Sequence, residues 1–493
     1  MSYRSALLLL ALSTAAAAQQ EPPPEPLGVA GQNQPNAAGV GQAFADPSQI
    51  FSGREGAFVG FGYTRIAGEG SYMSTVINTE FSLGPVGLGL SLPSNLLVSP
   101  EAGIRREDIT YRGVIRKRDW DEPQSFARLI RFVRYGHKRD PVYFLAGQLW
   151  GATLGHGTLI NRYANNLSLD HPKVGLALDL NGTYFGIETL TDYVANPTLV
   201  GTRAYLRPFG ETPFLRGWAV GVSFVSDLAA PRALTYNADG TLTQDGKGNP
   251  IIAASQAIYA GGVDTEFELL RNSLISVIPY VDLNRIAGAG NGLHTGVLTD
   301  LYLPVPVLQI NVQARLEYRM MQPGYIPEYF DQTYDLGRIQ YAVLSGATTT
   351  YKPKYIAATD AHNAPGIDPT SIDRKGYYGE LAFGFAGFLQ IGGLYQDYQG
   401  DPNGASLGFF ATLPKFELLK VSAYYLRKNM KSGFDDAFKL DERSLLAASL
   451  AYKMFGPIYM RVDFQRRWAL QPGATHIQAI DTFQAGIATF ISF

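Results

Sequence analysis

Charged residues make up only 17% of this 493-residue chain, and many of them recur at every second position, so they share faces rather than scatter. Acids gather at Asp179, Glu188 and Asp192, and again at Asp264, Glu266, Glu268, Asp282 and Asp300. Bases gather at Arg112 and Arg116, at Arg203 and Arg207, at Arg315 and Arg319, and at Arg461 and Arg467, with Glu317 and Asp463 interleaved. On opposed walls around water, such groups would set up a transverse field that orders small polar solutes. Tyr205, Tyr280, Tyr378 and Tyr424 fall on the same faces, and tyrosine beside mixed charge also suits sugar rings. The plainer expectation is salt bridges that only stabilise the fold, since buried charges must pair. Glu188 and Asp192 stand on a segment adjacent to Arg203 and Arg207, which favours that pairing.

Catalytic signals are weak. The chain has no G-x-S-x-G, H-E-x-x-H or Walker loop. Cys is 0, which excludes disulfides, thiolate metal sites and a cysteine nucleophile. None of the six histidines stands four residues from another, so no metal is expected. In one expected external loop a histidine, His156 or His171, with nearby Asp170 would make a base, though a hydrogen-bonded loop histidine is the more ordinary outcome. The net charge of −2 gives no case for nucleic acid. Neither an enzyme nor a cofactor is expected.

The elements that carry these residues alternate with period two. Leu308, Ile310, Val312, Ala314, Leu316, Tyr318 and Met320 share one face, and Gln309, Asn311, Gln313, Arg315, Glu317 and Arg319 the other. A helix would mix the two sets. The split recurs in Ile458, Met460, Val462 and Phe464 against Arg461, Asp463, Gln465 and Arg467. This pattern predicts an all-β fold, a closed antiparallel transmembrane β-barrel of about 20 strands (18 to 20), with short periplasmic turns and long external loops. A strand is expected over 107–117, and long external connections over 93–106, 151–172, 227–255 and 322–374. Residues 119–141 form a long connection on the periplasmic side. There Phe126, Leu129, Ile130 and Val133 predict an amphipathic helix near 121–136, made basic by Arg128, Arg131 and Arg134. That helix would gate the pore, dock a periplasmic partner, or only cap the barrel end. His156, Arg162 and Asp170 place 151–172 as a second gate candidate, folded inward to narrow the lumen. The segment 322–374, with Tyr325, Tyr329, Tyr334, Arg338 and Tyr341, is the other loop able to do so. A surface-exposed loop is the bland alternative for both.

Residues 1–18 predict a signal peptide: Arg4, a short apolar run Ala6–Leu12, and small residues ending Ala16-Ala17-Ala18. Residues 19–56, rich in Pro and Gln, predict a flexible periplasmic leader, and 57–493 the barrel. The end Gln484-Ala485-Gly486-Ile487-Ala488-Thr489-Phe490-Ile491-Ser492-Phe493 resembles the terminal strand of Gram-negative outer-membrane proteins. That resemblance implies an outer-membrane location, contact with lipid and lipopolysaccharide, and recognition of the strand ending in Phe493 by the barrel-assembly machinery. Two functions fit. One is a porin-like channel for polar solutes. The other is export of a secreted polysaccharide, because the strand number, mixed-charge interior, long loops and periplasmic helix are together similar to alginate-export-type barrels. A TonB-dependent transporter would need a far larger plug domain before the first strand.

Overall fold

The computed structural model describes residues 56–492 apart from 67, 139, 167–170, 211, 213–214, 216, 239–241, 246–249, 306–307, 346–347, 386–388, 402, 414–417, 432 and 471–476. The expected signal peptide, the expected leader before Gly56, the terminal Phe493 and Asp170 therefore lie outside the described residues.

Alternation closes into a cylinder. Its wall is a ring of 20 antiparallel strands: β1 (Gly56–Ile66), β2 (Gly70–Leu83), β3 (Val86–Pro100), β4 (Ile130–Tyr135), β5 (Val142–Gly147), β6 (Gly175–Asn181), β7 (Phe185–Thr191), β8 (Leu199–Leu206), β9 (Ala219–Leu234), β10 (Ile252–Glu266), β11 (Ile275–Ile286), β12 (Gly290–Val305), β13 (Leu308–Met321), β14 (Arg374–Phe385), β15 (Leu389–Gln399), β16 (Ala405–Thr412), β17 (Leu419–Met430), β18 (Ser444–Phe455), β19 (Ile458–Leu470) and β20 (Ile477–Ser492). Each strand pairs with the next, and β20 returns to β1 with Tyr63 opposite Ala485. Closure leaves no unpaired edge, which is what a hydrocarbon surround demands of backbone N–H and C=O groups.

The outer face is apolar. Phe61, Ile77, Phe224, Val263, Leu283, Leu316 and Ile487 are all exposed, while their strand neighbours Arg315, Glu317 and Asp264 are buried inside. Exposed leucine and phenylalanine in such numbers would aggregate in water, whereas lipid accepts them. Among the described residues no helix is long and apolar enough to cross a membrane. Leu316→Arg places a charge on the lipid side of β13 between two inward charges. We expect a loss of about 2–4 kcal/mol if the site lies at mid-bilayer, read by urea unfolding in lipid vesicles.

The connections divide by end. One end carries short turns such as 84–85 and 456–457, and the other carries the connections 101–129, 148–174, 235–251 and 322–373. Strands β4 to β8 are short, six to eight residues each. Six residues span roughly 20 Å, against roughly 50 Å for a 15-residue strand such as β3. The connection 148–174 therefore leaves the wall well below the rim set by the longer strands, from where it can enter the lumen.

One region departs from expectation. Residues 107–117 are not a wall strand. They hold a single helical turn and a two-residue hairpin, Thr110–Tyr111 against Ile115–Arg116, at the loop end. The amphipathic helix near 121–136 is replaced by a short 3-10 helix, Pro123–Leu129, followed by wall strand β4. The reason is a β-bulge between β3 and β4, where Gly89 pairs with Phe132 but Leu90 pairs with Ile130. An extra residue puts Ile130 and Val133 on one face three positions apart, which imitates helical spacing. The connection before β4 consequently lies with the long loops, not on the turn side.

Candidate functional site

Two loops fill much of the lumen. From 148–174, a short strand Ile160–Asn161 pairs in parallel with Phe330–Asp331 of 322–373, so the loops brace each other. Their side chains Leu154, Leu159, Ile160, Tyr325, Tyr329, Phe330 and Tyr334 are buried against wall residues Ala177, Leu190, Leu199, Val225, Ile258 and Ile286 in one apolar cluster. A helix α1, Lys354–His362, completes the plug. The wall is shaped for it. A Cβ on Gly201 would lie 2.5 Å from Ile160, and one on Gly292 would lie 2.2 Å from Tyr325, so glycine there gives the plug its seat.

Charge explains the seating. Adjacent strands set like charges face to face: Asp264 opposite Asp282, and Asp179 opposite Glu188. Opposed carboxylates repel and require cations. Arg203 answers one side, 2.6 Å from Asp264 and 3.3 Å from Glu188. Lys138, in the turn before β5, reaches Asp179 at 3.5 Å. The plug answers the other side. His156 bonds Asp282 through Nδ1 at 2.8 Å and Glu266 through Nε2 at 2.7 Å, and its ring stacks on Tyr280 at 4.2 Å. Thr158 donates to Asp282 at 2.6 Å, and the Gly155 N–H donates to Glu188 at 2.9 Å. Burial works against the His156 imidazolium, yet Asp282 and Glu266 outweigh it and hold the group at about 10. His156, Asp264 and Asp282 bring ligand-type atoms within 4.8 Å of one another. Both imidazole nitrogens are engaged, so a metal ion would have to break this latch.

Further along the wall, β13 presents Arg315, Glu317 and Arg319. Glu317 accepts from Arg315 Nε at 2.7 Å and from Arg319 Nε at 2.5 Å, and also bonds His294 and Tyr280. The plug adds Glu328, 3.0 Å from Arg319. On β14, Glu380 is met by plug residue Arg162 at 2.5 Å. Asp227 of β9 takes Tyr334 at 2.7 Å and Arg338 at 3.1 Å. Lys428 of β17 reaches plug residue Asp331 at 2.6 Å. Burial pulls Lys354 of α1 down to about 8, with Asp331 opposing and Lys428 adding to the pull. Glu317→Ala leaves two fully buried guanidiniums without their shared carboxylate. We expect a loss of roughly 3–5 kcal/mol in urea unfolding.

The sequence-derived residues thus sort by place. Asp179, Glu188, Arg203, Asp264, Glu266, Asp282, Arg315, Glu317 and Arg319 form the wall clusters, and His156 and Arg162 form the plug's contacts. Asp192 caps the connection after β7 through the N–H groups of Thr198 and Leu199 and pairs with Lys173 at 2.9 Å. Arg461 and Asp463 pair with each other at 2.7 Å on β19. Arg207 and Glu268 lie in the turns: Arg207 bonds the Gly182 carbonyl, and Glu268 pairs with Arg271. Arg112 is exposed in a loop-end turn between the two short strands of the hairpin. Arg116 is buried within the connection 101–129 itself, where it bonds Glu69 of the β1–β2 turn at 2.6 Å and Asp119 at 2.9 Å. Arg128 joins the same knot through Asp119 at 3.1 Å. Arg131 sits on β4 and reaches Glu80 of β2 at 2.5 Å, with Arg134 on the same strand, so these two stand on the wall and only Arg128 lies in a helix, the short 3-10 segment Pro123–Leu129.

Sequence reasoning did not single out Glu380, Glu328, Asp331, Lys354 or Lys428. Glu380 was within reach, since it keeps the inward phase of Tyr378. The three plug residues Glu328, Asp331 and Lys354 follow no period.

Opposite the filled side, a cavity of about 220 Å³ runs between the plug and β14–β20. Asn161, Arg162, Lys354, Tyr378, Gln396 and Tyr398 are among its lining residues.

No protein-family model and no curated protein matches the chain. Among solved structures it is similar to a porin of Rhodopseudomonas blastica, at 8% identity over 88% of this chain and 99% of that one, with a TM-score of 0.28. It is also similar to Wzi, a carbohydrate-binding outer-membrane β-barrel involved in group 1 capsule assembly in Escherichia coli (10% identity, 90% and 86% covered, TM-score 0.33). OpdL of Pseudomonas aeruginosa is a third (11% identity, 89% and 97% covered, TM-score 0.31).

Proposed function

We propose that this protein is an outer-membrane channel for polar solutes, narrowed by two inward-folded loops to a passage along β14–β20. In this reading the short turns face the periplasm and the long connections face outward. The signal peptide directs export, and the barrel-assembly machinery inserts the chain through its last strand. Lipid and lipopolysaccharide surround the apolar face.

The observation that carries the proposal is the charge match between plug and wall. His156, Glu328 and Arg162 each meet a wall group of opposite sign, so the loops are built to sit inside the cylinder rather than above it. A passage lined by tyrosine, amides and both signs of charge would slow and orient polar solutes rather than exclude ions outright. The test is swelling of liposomes containing the purified barrel, with sugars and amino acids of graded size. Small polar solutes should enter and larger ones should be excluded at a sharp cutoff. No swelling by any solute would contradict the proposal. Export of a secreted polysaccharide is the second reading, favoured by the tyrosines along the same passage.

A further inference from the structure

We infer that the cavity beside β14–β20 is a binding site for a neutral saccharide, with the Tyr378 hydroxyl as a recognition group. This deepens the channel reading and rests on the same passage. Tyr378 is 2% exposed, lines the cavity, and its hydroxyl has no hydrogen-bond partner among the described residues. A buried hydroxyl left unpaired costs about 1–3 kcal/mol, which a ligand hydroxyl would recover. The ring is held rigidly, with the Arg319 guanidinium 4.0 Å and that of Arg315 5.1 Å from its centroid. Its hydroxyl is therefore fixed in place rather than free to turn towards solvent.

The charges in the lining argue for a neutral ligand. Arg162 is paired with Glu380 at 2.5 Å, Arg374 with Asp401 at 3.3 Å, and Lys428 with Asp331 at 2.6 Å. A charged solute would have to compete with these partners. The lining also carries Glu328, Lys354, Arg443, Glu442 and Arg467, and the first three are paired too, Glu328 with Arg319 at 3.0 Å, Lys354 with Asp331 at 3.6 Å and Arg443 with Asp441 at 3.0 Å. Beside these charges it offers aromatic faces, Tyr341, Tyr351 and Tyr398, and the amides of Asn161, Gln340 and Gln396. Flat rings with polar tips, set among planar amides, match the alternating apolar faces and hydroxyl edges of a pyranose.

The experiment is calorimetric titration of the full chain in detergent with maltohexaose, a uronic-acid oligosaccharide and succinate, run beside liposome swelling. We expect maltohexaose to bind and the two anions to bind at least tenfold more weakly. Tyr378→Phe, which removes one oxygen and keeps the ring, should weaken maltohexaose about fivefold to tenfold, with the heat-modifiable gel shift of the folded barrel unchanged. Preferential binding of either anion would overturn the neutral ligand, and equal affinity in Tyr378→Phe would overturn the role of Tyr378. Swelling by small solutes without maltohexaose binding would remove the saccharide site and leave the channel. Binding without swelling would do the reverse.

Discussion

Replacing residues 154–160 with a short glycine–serine link is expected to raise single-channel conductance several-fold in planar bilayers. Leu154, Leu159 and Ile160 are buried at the centre of the plug–wall cluster, and their removal opens that space to water. The wall does not need them, because its strand pairings close on themselves. The carboxylates they cover are not stranded either. Glu266 and Asp282 lose His156 but gain solvent, so the desolvation cost that made a cation necessary disappears with the plug. The variant should therefore insert and keep its heat-modifiable shift on a gel. An unchanged conductance would mean that the water path runs elsewhere.

The second large effect is a pH step in the same current. His156 titrates at about 10 in the folded protein, against 6.5 for the free side chain. A raised folded pKa contributes stability that is complete below the unfolded value and is lost as pH rises through the folded one. The latch should hold at neutral pH and release between about pH 9 and 11, with conductance rising towards that of the loop-replaced variant. His156→Gln keeps hydrogen-bonding capacity but carries no charge against Glu266 and Asp282. Losing the cation from a buried pair costs roughly 3–5 kcal/mol, so this variant should conduct like the released state at neutral pH and show no step. A step that persists in His156→Gln would assign the titration to other groups.

Much of this was legible because a membrane wall obeys one rule at every strand. In β13 the inward Arg315, Glu317 and Arg319 alternate with outward Leu316 and Tyr318, and nothing local competes with that period. β4 was missed where the rule is broken by one residue. Its bulge sets Ile130 and Val133 on a common face, and the six residues that remain are too few to average the slip away. The hairpin at 110–116 shows the opposite failure, since alternation over two residues on each side does not reach across a bilayer.

The site was legible in parts and not as a whole. That Glu188 meets Arg203 follows from neighbouring strands, and the structure pairs them. That His156 meets Glu266 and Asp282, more than a hundred positions away, depends on where a loop lands. The pairing of Ile160–Asn161 with Phe330–Asp331 is of the same kind: no periodicity in either loop announces the other. The strands supply a charged cylinder. Which charges then face water is decided by two irregular segments whose own composition states no partner.

Single-channel recording of the unmodified protein at neutral pH asks whether the barrel is a water-filled cylinder narrowed by its own loops. Steady, ohmic openings well below those of the loop-replaced variant are expected, with permeability to both cations and anions. A conductance equal to that of the loop-replaced barrel, or no conductance from either protein, would contradict it.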